Sequence, residues 1–524
     1  MSYNEEPKAT GGKIWKGFAA LIFASQIAFS VILFIEIILL GMIPDKYLYA
    51  IGIVLWLLLM VNALLLFVGM KRPLSVSIVL RRLLAFSLAV LICFLSLSGY
   101  RAMDRVKKTL DEVTSTKTVT EEAPVATMNL YVFDEDPAKT VTDCKNYLTG
   151  FATGDSGRCS KAALNTMSAE TGTAVRAKEY GSEGDLLTAL YEDEVQAIII
   201  NSNQAEILSE TEEYQDLIDG LRLIKEYDVT TSDLAFIPTE PDEKNDNETS
   251  SIEETSAVLD GITRTPFIVY ISGSDTRNKK FKTSRSDVNI LMVVNPVTKQ
   301  ILLLNTPRDY YIPNPKSSSG EKDKLTHLGL YGVSCSMKGL ANLYGCTVNY
   351  SAQINFTGLE TLVDQLGGVT INNPQAFTSK GGVKFKKGTI TLNGEQALAY
   401  VRERYAFSSG DNMRGQNQMR VLTAMINKMT SSKSQVLKNY SGILKALSGM
   451  FKTSMSSEDI EKLVKMQLGD LAEWKITSYA VTGKNGSEKT YSSPNHKAYV
   501  MIPDDKSVAE ASFKIKKVLA GEKI

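Results

Sequence analysis

The chain has 524 residues, 44% of them hydrophobic, and its 58 basic residues balance 58 acidic ones. That length excludes one ordinary domain and allows two or three with sizeable cores. A net charge of zero argues against a general nucleic-acid coat, but not against a local anion site.

Three apolar runs fill the first hundred residues, at 14–43 (interrupted by Glu36), 47–70 and 78–100. Each is long enough to cross a hydrocarbon core of about 30 Å, which takes roughly 20 helical residues. A cleaved signal peptide is the alternative for the first run, but its apolar stretch is too long and no small-residue cleavage site precedes the second. Lys8, Lys13 and Lys16 lie in the tail, Lys71, Arg72, Arg81 and Arg82 lie in the second loop, and "PDKY" between the first two runs holds one lysine. This bias predicts a cytoplasmic tail at 1–13, three transmembrane helices within 14–100, and everything after Tyr100 outside the cytoplasm. Arg101, Arg105, Lys107 and Lys108 pull the other way, but large translocated domains tolerate such charge.

A charged helical stretch, "RAMDRVKKTLDEV", comes next. Residues 105–237 predict a small α/β accessory domain. "MNLYVF" reads as a strand, "EGDLLTALYEDEVQAIIINSNQAEIL" as helix, buried strand and helix, and "LRLIKEYDV" as another strand. It carries no His and no nucleophile or metal cluster. Residues 238–256, almost without apolar side chains, predict an exposed linker.

Residues 257–524 predict a larger α/β domain, a mixed central sheet between helices. Strands read at 267–272, 289–295 and 301–306, and in "LAYVRER", "KITSYAV" and "AYVMIP". "SMKGLANLYG", "FTGLETLVDQLGG" and "MRGQNQMRVLTAMINKMT" read as helices, the second ending in a glycine pair that suits a C-terminal cap. Cys144 and Cys159 form one close pair and Cys335 and Cys346 another, either disulfides or buried thiols.

The stretch "YVRERYAFSSGDNMRGQNQMR" at 400–420 gathers four arginines. Read as a strand, it puts Arg402 and Arg404 on one face. Arg414 and Gln418, four apart in a helix, share another. A turn between them could converge the guanidinium forks on a phosphate or pyrophosphate. The alternative is a set of exposed arginines paired with Glu403 and Asp411. Two further stretches favour a site: "NTPRDYYIP" puts Arg308 and Asp309 just after a buried strand, where α/β sheets place ligands. "SGSDTR" and "TSRSDVNIL" put Asp275, Arg277, Arg285 and Asp287 at other strand ends. Two aspartates could hold Mg²⁺, which takes one or two carboxylates plus substrate phosphates, or could serve as turn residues.

The stretches "RSDVNILMVVNPVTKQILLLNTPRDYYI", "INFTGLETLVDQLGGVTI" and "YVRERYAFSSGDNMRGQNQMR" resemble the LytR-CpsA-Psr family of cell-envelope proteins, from about Thr265 to the end. The three spans and the extra domain look like the capsule-assembly branch found in Gram-positive bacteria. The resemblance implies a Mg²⁺-dependent phosphotransferase that moves capsular polysaccharide, or a related glycopolymer, from a polyprenyl pyrophosphate carrier to peptidoglycan. Membrane and other capsule-assembly proteins would be its partners, with no nucleic acid. It also implies that Arg308, Arg402 and Arg404 act on the pyrophosphate, that Arg414 and Gln418 bind it with Lys338 assisting, and that Asp275 and Asp287 hold Mg²⁺. Arg285 and Asp411 match motif positions of the same site. The family's apolar lipid groove would take residues such as Leu325, Leu328, Leu340, Ile354, Phe356, Leu359 and Leu362, although most of them read better as core.

Two rivals remain. A polyprenyl-pyrophosphate phosphatase would share every arginine and use water as acceptor. A membrane-bound regulator of capsule production would need a reading surface for nucleic acid if it acted directly, and the short cytoplasmic parts leave no room for one. Of the two histidines, His327 reads as structural, and no Ser-His-Asp set is credible.

Overall fold

The computed structural model describes residues 10–68, 76–114, 126–153, 156–209, 212–234, 261–274, 285–407, 410–430 and 451–524. Lys8, Lys71, Arg72, the 238–256 linker, Asp275 and Arg277 lie outside them.

Helices at Thr10–Leu39, Asp45–Phe67 and Val76–Thr114 contain three stretches long and apolar enough to cross a membrane. The charged stretch after the third run is not a separate element; it continues the third helix. Leu21, Tyr49, Ile53 and Leu83 project outward, as a lipid-facing surface requires. One polar contact is buried between the first two helices, where Asn62 Nδ2 donates to Gln26 Oε1 at 2.6 Å.

The first folded domain is a five-stranded sheet in the order Arg176–Tyr180, Leu148–Ala152, Ala197–Asn201, Ala126–Phe133 and Leu221–Val229. In the Ala197–Asn201 strand, Ala197 and Ile199 enter one core, and Ile198 and Ile200 the other. This two-sided burial explains why the run reads as continuously apolar.

The second domain is built on a six-stranded mixed sheet. Its order is Phe451–Thr453, Tyr350–Asn355, Phe267–Ser274, Val288–Asn295, Gln300–Asn305 and Lys475–Ala480. Alternation sorts its side chains: Ile268, Tyr270, Leu291 and Val293 pack with Leu340 and Ile515 of the Val333–Tyr344 and Asp505–Leu519 helices. Val269, Ile290, Val294 and Leu303 pack on the other side with Met419 of the Gly410–Thr430 helix and Leu463 of the Ser457–Asp470 helix. Each such fully buried aliphatic side chain contributes about 1.5–3 kcal/mol.

One expectation changes, and one open alternative is decided. "LAYVRER" is not a strand; Gly394–Arg402 is a helix, followed by extended backbone. Asn393 accepts from the Gln396 N–H while Gln396 returns to the Asn393 N–H, a capping box. Ala397, Tyr400 and Val401 then fall on one buried stripe at helical spacing. In addition, all five cysteines are free thiols, so neither close pair is bridged.

The link between the first two apolar helices and the end of the third are tied to the second domain. Leu40, Met42, Val106 and Leu110 pack against Ile460 and Val464 of the Ser457–Asp470 helix. Lys465 pairs with Asp45 at 2.9 Å, and Lys46 Nζ donates to the Gly469 carbonyl at 2.6 Å.

Candidate functional site

The strands at Phe267–Ser274, Tyr350–Asn355 and Gln300–Asn305 end on one edge of the sheet, which the register fixes through Asn355↔Ser274 and Ile290↔Asn305. The chain after the Gln300–Asn305 strand carries Arg308 and Asp309, and Asp287 immediately precedes the Val288–Asn295 strand. Beyond this edge a cleft of about 1420 Å³ runs between the sheet and the Gly410–Thr430 helix. Most single-ligand pockets are smaller.

Arg285, Asp287, Arg308, Arg402, Arg404, Asp411, Arg414 and Gln418 all line this cleft. The convergence comes from the helix–turn–helix around Arg404. Asn417 Nδ2 donates to the Tyr400 carbonyl at 3.3 Å and Gln418 Nε2 to the Val401 carbonyl at 3.5 Å, folding the second helix back onto the first. Glu403, buried between the two arginines, is not their counter-ion. Its carboxylate accepts from the backbone N–H of Lys380 at 2.6 Å and of Ala406 at 2.9 Å, which holds the turn. Arg402 lies over the Phe356 ring at 4.4 Å, and Arg404 donates to the Tyr405 hydroxyl at 2.6 Å. That hydrogen bond lowers the Tyr405 phenol below its ordinary value. Arg414 does pair with Asp411, so part of the alternative reading holds at that residue.

Asp287 Oδ1 accepts from Arg308 Nη1 at 2.8 Å. Burial alone would raise its carboxyl, but Arg308, Arg414 and Arg285 outweigh that and hold it below the ordinary carboxylate value. The group therefore contributes stability above its unfolded value near 3.9, lost as pH falls through the lower folded value. Asp287→Asn is expected to destabilise the chain by about 1–3 kcal/mol at neutral pH. Variant and wild type should converge as acid protonates the carboxylate in both states; urea titrations at neutral pH and at successively lower pH check this.

As an ionised carboxylate beside the arginines, Asp287 fits one Mg²⁺ ligand, since the ion completes its shell with phosphate oxygens and water. No cluster of three His, Cys, Asp or Glu side chains occurs among the described residues. Asp275, the other expected ligand, lies outside them.

Lys338 does not join the site. It is exposed on the Val333–Tyr344 helix, which packs through Leu340 on the other face of the sheet, and it is absent from the cleft lining. Asp309, noted in the sequence beside Arg308 but without a role, lines the cleft, as do Lys324 and Tyr499, which the sequence does not single out. Asp309 sits beside Arg308 Nε at 3.6 Å and Lys324 Nζ at 3.9 Å; its place next to Arg308 was the available signal.

The candidate lipid residues divide. Leu325, Leu328 and Leu340 are core, whereas Ile354, Phe356, Leu359 and Leu362 line the cleft. Leu422, Met425, Ile426, Met429 and Phe451 extend this apolar wall. That far end lies next to the membrane helices: the Phe451–Thr453 strand contacts the third helix, and Thr430 accepts from Gln467 of the docked Ser457–Asp470 helix at 3.1 Å.

Fold and site together define a class: an α/β domain carrying an arginine-edged, apolar-walled cleft behind three membrane-type helices. The LytR_cpsA_psr family model matches residues 234–514, and the chain belongs to that family. Among its relatives are the polyisoprenyl-teichoic acid–peptidoglycan teichoic acid transferases TagU of Enterococcus faecalis and TagT of Bacillus subtilis. TagU is 38% identical over 200 residues, which cover 38% of this chain and 64% of the relative. TagT is 37% identical over 204 residues, covering 37% and 61%. The chain thus spans less than two thirds of the length of these curated relatives. The crystal structure of protein gbs0355 from Streptococcus agalactiae aligns with a TM-score of 0.42 at 28% identity, covering 49% of this chain and 89% of that one.

Proposed function

We propose that this protein is a membrane-anchored phosphotransferase that moves a glycopolymer, capsular polysaccharide or a related envelope polymer, from a polyprenyl diphosphate carrier to peptidoglycan. The observation that carries the reading is one cleft with Arg308, Arg402, Arg404 and Arg414 at one end and an apolar wall leading to the membrane helices at the other. The relatives' names, which specify teichoic acid, support the reaction class.

The carrier's hydrocarbon would lie along Leu359, Leu422, Met425 and Met429, placing the diphosphate among the arginines. A peptidoglycan hydroxyl attacks the phosphorus that bears the sugar. A new P–O bond forms, the bond to the bridging oxygen breaks, polyprenyl phosphate leaves, and the hydroxyl proton is lost. Negative charge spreads over the phosphorus oxygens, where guanidinium groups stabilise it. Mg²⁺, held by Asp287 with Asp275, would add positive charge at those oxygens. The positive-inside bias of the tail and second loop supports an orientation with both folded domains outside the cytoplasm.

The test is full-length protein in lipid with a glycosylated polyprenyl diphosphate and peptidoglycan, read by mass spectrometry. A phosphodiester-linked product is expected. Free glycan phosphate with no such product would assign a phosphatase instead. Transfer should also fall by at least about tenfold when Mg²⁺ is chelated, and recover on its return.

A further inference from the structure

The accessory domain reaches the rim of the cleft. Its Ser202–Leu208 helix is capped by the Asn201 side chain and buries Ala205, Ile207 and Leu208 in its own domain. Asn203 and Glu206, three apart, share a face, and both cross to the second domain. Asn203 Nδ2 donates to the Leu330 carbonyl at 3.3 Å, and Glu206 Oε2 meets Arg285 Nε at 3.1 Å. Three residues further, Ser209 lines the cleft together with Gln215 of the Glu212–Asp219 helix. The Glu206–Arg285 contact puts this rim at the arginine end, beside Asp287, and away from the apolar end.

The chemistry of the rim differs from that of both ends. Arginines suit oxyanions and the apolar wall suits hydrocarbon. Ser209 Oγ donates to the Glu206 carbonyl at 2.8 Å, which leaves its lone pairs to accept, and the Gln215 carboxamide can both donate and accept, a neutral set that suits sugar hydroxyls. We propose that the accessory domain supplies a saccharide-reading rim to the cleft, with Ser209 and Gln215 contacting sugar next to the diphosphate. The inference rests on the transferase reading for the identity of the ligand, and the sugar belongs either to the donor or to the acceptor glycan.

Binding separates these cases without needing turnover. The probes are bare polyprenyl diphosphate, the same lipid carrying a disaccharide, and a soluble peptidoglycan fragment, each titrated onto full-length protein in lipid nanodiscs. Ser209→Ala/Gln215→Ala is expected to leave the bare diphosphate within about twofold of wild type and to weaken one saccharide ligand about three- to tenfold. The weakened ligand identifies donor or acceptor. Ser209→Trp, which fills the rim, should weaken the same ligand further. Unchanged binding of all three probes, or equal loss of all three, overturns the proposal. Absence of a peptidoglycan product from wild type would sink the transferase reading alone, since the binding comparison stands without it.

Discussion

Arg402→Ala is expected to lower glycopolymer transfer by a factor of about 10²–10³, the usual cost of removing one preorganised donor from a developing charge. Arg402 is the last residue of the Gly394–Arg402 helix, exposed to the cleft and stacked on Phe356 rather than packed in the core. Stability should therefore stay within about 0.5 kcal/mol of wild type. Arg402→Lys should recover only part of the rate, because an ammonium keeps the charge but loses the planar fork. Single-turnover transfer and a urea titration on the same preparations check both statements. Wild-type transfer by Arg402→Ala would remove this arginine from the reaction.

Gly415→Ala is expected to damage both fold and activity. In an ordinary helix interior, alanine gains about 1 kcal/mol over glycine. Here a Cβ at position 415 would overlap the side-chain amide of Asn305, which is buried at the end of the Gln300–Asn305 strand. The overlap reverses the sign, so a net loss of about 1–3 kcal/mol is expected. Arg414 is the preceding residue, and any shift of the helix away from the strand carries its guanidinium along. Transfer should fall at least about tenfold, as displacement of a charge-stabilising group by a fraction of an ångström requires. A variant as stable and as active as wild type would mean that Asn305 moves aside freely.

Much of this site was legible in the chain itself. Charged residues at strand ends located Asp287 and Arg308, because a buried strand is visible as an apolar run and polar residues resume just before its start and just after its end. The spacing of Arg414 and Gln418 identified one helix face correctly. The segment before Arg402 was misread because Leu398, Tyr400 and Val401 suit a strand as well as a helix. The deciding signal lies two and five residues before Leu398, in the Gln396 and Asn393 cap. Lys338 shows a different limit. Its helix was recognisable, but which face of the sheet that helix covers depends on packing partners such as Ile515, far along the chain. Glu403 looked like a counter-ion in sequence and proved to be a turn anchor, since only the folded chain brings the Lys380 and Ala406 amides to it.

The third membrane helix has 39 residues and is therefore about 58 Å long. A hydrocarbon core of about 30 Å accommodates little more than half of it. The remainder is a stilt, braced by Leu40 and Met42 on one side and by Ile460 and Val464 on the other. A braced stilt fixes a height, so the distance between bilayer and cleft is a property of the protein rather than of thermal bobbing. Adding or deleting whole turns of that helix would tune how far from the bilayer the cleft sits.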